Sequence, residues 1–195
     1  FRFTPFNYRV WGDAEGDNGY AVDIEKLYEN VMNRYKYGGL DTPGLYLDET
    51  TLRTCYYHRR LFAQLAKELI KQGDHVRARK VLTYAEQAVP AYNVPEIYES
   101  GSFDIATAYA ALGEKTKAVT LFNHLIAESE DYINWAFSLG NGRTGMMQND
   151  CLYKFWQWNA YNERMKEIDK ESYEASNRRF EEKYALFTQI INNRN

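Results

Sequence analysis

A chain of 195 residues has room for one ordinary domain with a substantial core and is short for two, so its length predicts a single domain. Its 45% hydrophobic and 26% charged residues, with only four prolines, describe a soluble globular protein rather than a linker-rich one. A net charge of −3 supplies no basic field for a phosphate backbone, which weighs against nucleic acid, and no run approaches the roughly 18 apolar residues of a membrane span. The N-terminus lacks the basic and apolar regions of a signal peptide, but the chain starts at Phe1 and reads as a piece of a longer protein, so its compartment is not decided by that lack.

Residues 1–22, which include the polar run WGDAEGDNG, read as an irregular segment. From Asp23 the pattern changes. Ile24, Leu27, Tyr28, Val31 and Tyr35 recur at helical spacing, with Asp23 as N-cap and Gly38 and Gly39 as the stop. The stretch YKYGGLDTPGLYLDE then packs three glycines, a proline and three acids between two helices. It matches neither a phosphate-binding loop nor a dinucleotide fingerprint, so it reads as a connector that turns at Pro43 and Gly44, with Leu45 and Leu47 packing under the next helix. Asp48 is the next N-cap. Leu52, Cys55, Tyr56, Phe62, Leu65, Ala66 and Leu69 continue a helix of about five or six turns.

The segment FAQLAKELIKQGDHVRARKVLTYAEQAVP alternates large and small residues across a turn. Phe62, Leu65 and Leu69 stand with Ala66 on the first helix, Gly73 makes the turn, Ala78, Leu82 and Ala85 face back, and Pro90 closes the unit. A second copy, FDIATAYAALGEKTKAVTLFNHLI, places Ile105, Ala106 and Tyr109 before Gly113, then Ala118, Phe122 and Leu125 after it. Both copies follow the tetratricopeptide pattern, a helix–turn–helix repeat of about 34 residues. Gly73 and Gly113 stand 40 positions apart, and the excess lies in AYNVPE, where Pro90 and Pro95 bracket an extended connection. Two such repeats need flanking helices to cover their apolar faces.

After the glycine-rich SLGNGRTG, Cys151, Phe155, Trp158, Tyr161, Met165 and Ile168 follow helical spacing, and Tyr173, Phe180, Tyr184, Phe187 and Ile191 continue it. The fold class is therefore all-α, with antiparallel helix pairs in a tetratricopeptide-like right-handed superhelix and long C-terminal capping helices. The expected parts are helix and connector over 23–48, repeat one over 49–94, repeat two over 95–130 and capping helices over 131–195.

Catalytic chemistry has no named centre. His58, His75 and His124 fall on separate helices with no metal-binding spacing, and no nucleophile elbow or P-loop is present, so neither a metal nor a cofactor is expected. Cys55 and Cys151 lie on apolar stripes and read as two buried thiols rather than a disulfide. The carboxylate pairs Asp13 with Glu15 and Asp48 with Glu49 are numerous enough for acid–base work, but Asp48 and Glu49 suit a helix start better. Arg59 and Arg60 could face an anionic group or be solvated.

The aromatic surplus is harder to hide. Adjacent pairs such as Tyr56 with Tyr57 and Phe155 with Trp156 cannot share one helical face, so some rings should reach a groove or a second contact surface. Candidate groove residues are Tyr56, Arg59, Arg60 and Tyr98. Trp135 and Trp156 are candidates for stacking on sugar rings.

The run from IEKLYENVMNRYKYGGL through YLDE, the arginine pair and the first repeat resembles the C-terminal soluble region of a bacterial membrane-protein family called domain of unknown function 2723, itself described as similar to protein O-mannosyltransferases. The resemblance extends from FRFTPFN to NDCLYKFW and does not cover the chain past about Ile168. It implies a multi-pass membrane parent carrying this region as an extracytoplasmic, periplasmic-face tail, with the catalytic acids in the membrane portion. No catalytic residue carries over to this chain. The expected function is thus a non-catalytic helical-repeat domain that binds a protein, peptide or acceptor. The alternatives are a carbohydrate-binding accessory domain using exposed aromatics, and a structural spacer or dimerisation element.

Overall fold

The computed structural model describes residues 2–3, 8–10 and 20–192. Helices dominate, so the class is all-α, and the chain divides into two compact units, Phe1–Pro95 and Glu96–Asn195, where a single domain was expected. The division falls at the end of the insertion between the two repeats.

The first unit opens with three short antiparallel strands in the order β1 (Arg2–Phe3), β2 (Tyr8–Val10) and β3 (Tyr20–Val22), in a stretch expected to be irregular. Strands of two or three residues are too short to show an alternating pattern, and their pairing, Arg2 with Arg9 and Tyr8 with Val22, joins separated positions. Helix α1 (Ile24–Glu29) starts at Asp23, whose carboxylate accepts from the Lys26 N–H at 3.2 Å, and buries Leu27. It runs on as a π-helical turn, Asn30–Arg34, and stops before Tyr35, earlier than the apolar stripe indicates.

Tyr37 then folds back over this helix end. Its hydroxyl donates to the Val31 carbonyl at 2.6 Å, while its ring packs against Phe62 and Tyr84 at 5.4 and 6.1 Å between centroids. Burial raises the Tyr37 hydroxyl pKa well above its ordinary value. Of the connector leucines it is Leu40 that is buried; Leu45 is exposed and Leu47 half-buried, so the expected packing of Leu45 under the next helix does not occur. Asn93 instead pins the connector, its side-chain amide donating to the Leu40 and Thr42 carbonyls at 2.7 and 2.6 Å. Tyr92 adds a bond from its hydroxyl to the Asp41 carbonyl at 2.6 Å.

Helix α2 (Glu49–Lys71) begins at Asp48, which accepts from the Thr50 and Thr51 N–H groups at 3.0 and 3.1 Å. With α3 (His75–Ala88) it forms the first repeat. Phe62, Leu65, Ala66 and Leu69 of α2 meet Ala78, Val81, Leu82 and Ala85 of α3, each at most 2% exposed. The alanines let the two helices approach closely, while the large side chains fill the space on either side.

The second unit opens with a 3₁₀ turn, Tyr98–Ser100, and Gly101 at φ +84°, which lead into α4 (Ser102–Ala111) and α5 (Lys115–Ser138). Ile105, Ala106, Tyr109, Ala118 and Phe122 are all buried. The two repeat turns are built alike. Gly73 and Gly113 both sit at φ +78°, and in each the residue after the glycine donates back across the helix end, Asp74 to the Leu69 carbonyl and Glu114 to the Tyr109 carbonyl, both at 2.9 Å.

Helix α5 runs on to Ser138, so the boundary expected at 130 falls inside it. The glycine-rich segment after it is not a break throughout. Gly140 at φ +83° ends the turn, but Asn141–Met146 forms a short helix, α6, held by the Thr144 hydroxyl donating to the Ala136 carbonyl at 2.7 Å. Helices α7 (Gln148–Ile168) and α8 (Lys170–Asn192) then cover α5, burying Cys151, Phe155, Trp158, Tyr161 and Met165, with Phe180 against Phe155 and Trp158.

Candidate functional site

The six candidate binding residues have different fates. In the first unit Tyr56 and Arg59 are buried. Arg59 donates to the Val89 carbonyl at 2.9 Å and to the Val94 and Pro95 carbonyls at 2.6 Å each. Its place on the helix explains this: it precedes Phe62 by three positions and follows Cys55 by four, so it lies on the buried stripe. Only a group with several N–H donors can occupy that position, because the irregular insertion turns its carbonyls inward. Arg60, one step round the helix, is exposed and lies over the Tyr57 ring at 5.8 Å. A depression of about 530 Å³ lined by Glu49, Thr50, Arg53, Thr54 and Tyr57 opens along the start of α2, and its Arg53 and Glu49 already pair at 2.6 Å.

In the second unit the outcome is different. Tyr98, from the 3₁₀ turn, meets Trp156, from the middle of α7, with ring centroids 5.3 Å apart and planes at 77°. Tyr153, one turn before Trp156, stacks on it at 5.7 Å and 13°. Trp156 is 52% exposed and Tyr153 43%, which are high values for large rings packed on each other. Tyr153 was not singled out from the sequence, although its i, i+3 spacing to Trp156 in YKFWQW was a signal for it.

A rigid wall backs these rings. Tyr98 packs on Phe103 at 5.8 Å and on Tyr161 at 6.4 Å, and Phe103 reaches Phe122 at 6.0 Å, so the exposed rings continue into the repeat core. Gly101 sets the direction of Tyr98, because its left-handed φ turns the chain between the 3₁₀ turn and α4. Beside the rings, the Gln157 amide donates to the Glu99 carboxylate at 3.0 Å. The Tyr98 hydroxyl is pushed up in pKa by burial and then by the neighbouring Asp104 and Glu99. Burial and Glu99 act in the same direction on Tyr153, while its contact with Gln157 opposes them. The arrangement offers aromatic faces and carboxylate acceptors.

Trp135 stands elsewhere on α5, half-exposed and edge-on to Tyr132 at 5.4 Å. Cys55 and Cys151 are buried free thiols whose pKa values burial raises. Among the described residues, no group of three or more His, Cys, Asp or Glu could hold a metal ion, and no helix is long and apolar enough to cross a membrane. Neither a protein-family model, nor a curated protein, nor a solved structure matches the chain.

Proposed function

We propose that this chain is a non-catalytic recognition domain that holds a carbohydrate on the Tyr98, Tyr153 and Trp156 rings. The single observation behind this reading is the meeting of Tyr98 and Trp156 at 5.3 Å, with both Trp156 and its stacked neighbour Tyr153 exposed. Sugar rings present one apolar C–H face and a rim of hydroxyls. An exposed aromatic face beside carboxylate and amide groups complements both. Glu99 supplies such a carboxylate here, oriented from behind by the hydrogen bond it accepts from the buried Gln157 amide.

The resemblance to the tail of a membrane glycosyltransferase-like family gives the reading its setting. On that basis the domain faces the extracytoplasmic side and keeps a glycan acceptor near the membrane portion of its parent. A peptide groove built on Tyr56, Arg59 and Arg60 has less support, since Tyr56 and Arg59 are buried. Screening the domain against a glycan panel, followed by calorimetry of the hits, tests the proposal. Trp156→Ala and Tyr98→Ala should abolish binding, and Trp135→Ala, away from the surface, should leave it intact. Wild-type protein that binds no glycan, or a Trp156→Ala variant that binds as tightly as wild type, overturns it.

A further inference from the structure

We infer that the ligand of this aromatic surface is an extended, β-(1→4)-linked oligosaccharide lying along α7, a substrate class that rests on the carbohydrate reading above. Tyr153 and Trp156 stand about one helical turn apart, and their ring planes differ by only 13° at 5.7 Å. Two rings at one tilt, stepped along the helix axis, present a run of apolar faces in a single direction. With Trp156 52% and Tyr153 43% exposed, that run is open to solvent. Tyr98 meets Trp156 at 77° on the flank next to the 3₁₀ turn, so the open direction for a ligand is along α7 rather than across it.

The stripe that carries Trp156 continues in both directions with side chains suited to hydroxyl groups. Asn149, two turns before Trp156, Asn159, one turn after it, and Glu163, two turns after it, share its face of α7 and are exposed. An amide both donates and accepts, and a carboxylate accepts from two hydroxyls at once. These groups therefore match the hydroxyl rim of a pyranose, while the rings match its C–H face. Asn149 and Glu163 stand 14 positions apart on one continuous helix. At a rise of about 1.5 Å per residue they are separated by about 21 Å, room for about four sugars of an extended chain. A helical turn of about 5.4 Å is close to the repeat of such a chain, so successive sugars meet successive turns. An α-(1→4)-linked chain coils and leaves a straight stripe after its first sugars. A lone monosaccharide on the rings would reach neither end.

Calorimetry with cello- and chito-oligosaccharides of increasing length tests this, with malto-oligosaccharides as the coiled comparison. In at least one β-linked series the tetrasaccharide should bind at least about ten-fold more tightly than the disaccharide, the scale of about one or two added hydrogen bonds, and longer chains should gain little more. The malto series should show no such gain. Asn159→Ala combined with Glu163→Ala, both at exposed positions, should bring the tetrasaccharide down to the affinity of the disaccharide and leave the disaccharide unchanged. Equal binding of disaccharide and tetrasaccharide, an equal gain in the malto series, or a gap untouched by the double variant overturns the inference while carbohydrate binding stands. So does a glycan panel whose hits exclude both β-linked series. If no glycan of any kind binds, the carbohydrate reading itself falls, and this inference with it.

Discussion

The Arg59 guanidinium donates to the Val94 carbonyl from 2.6 Å, in the interior of the first unit and 35 positions along the chain. The same group reaches the Val89 and Pro95 carbonyls, so one side chain satisfies three backbone acceptors, one at the end of α3 and two in the insertion between the repeats. Arg59→Met would fill similar space and leave those carbonyls without their donor. Chemical denaturation should show a loss of about 3 to 5 kcal/mol, the usual scale for breaking a buried charged network from one side. Arg60→Met, on exposed surface, should cost less than about 1 kcal/mol.

The two repeat turns predict a matched pair of effects. An alanine at Gly73 or Gly113 would meet no atom within 4 Å, so its cost comes from holding a Cβ-bearing residue at φ +78°. Each substitution should lower stability by about 1 to 2 kcal/mol, and the two losses should be similar. A much larger loss at either position, in urea melts of the single variants, would point to crowding that the turn geometry does not contain.

Ser176 gives the last helix a specific anchor. Its hydroxyl accepts from the Trp158 indole N–H at 2.8 Å and donates to the Asn162 side-chain oxygen at 2.6 Å, all three groups being buried. Ser176→Ala would strand a buried donor and a buried acceptor at once, for an expected loss of about 2 to 4 kcal/mol. Hydrogen exchange should show α8 losing protection first. Ser172→Ala, whose hydroxyl bonds only to the partly exposed Asp169 carboxylate, serves as the comparison and should cost under about 1 kcal/mol.

His58 couples the first unit to pH. Its ring meets the edge of Tyr37 at 5.3 Å, its Nδ1 is buried, and burial lowers its pKa below the ordinary 6.5. As the pH falls, the unfolded chain therefore takes up this proton before the folded one does. The contribution of His58 is complete above about pH 6.5 and is lost as the pH falls from there toward the folded pKa. Melting temperature should drop between pH 7.5 and 5.5, and His58→Phe should flatten that slope.

Much of the framework is local and so was legible in the chain itself. Asp23 and Asp48 cap helices because a short acidic side chain reaches the N–H groups two or three residues on, and Gly73 and Gly113 end helices because they take a left-handed φ without penalty. The buried stripe from Phe62 to Ala85 follows from helical spacing alone. Arg59 shows where such reasoning stops. Its spacing put it on that stripe, but its charge argued for the surface, and only the folded insertion supplies the carbonyls that let a guanidinium be buried.

What the sequence determined by itself was the helical class, the two glycine turns and most of the core, all legible in the spacing of residues a few positions apart. Tertiary structure decided the division into two units, the course of α5 past residue 130 and the meeting of Tyr98 with Trp156. Those two rings belong to elements separated by three helices. Their periodicities say that each ring has a face to hide and a face to show, but which partner it finds depends on how α7 packs against α5 and the 3₁₀ turn, a long-range choice that no local pattern encodes.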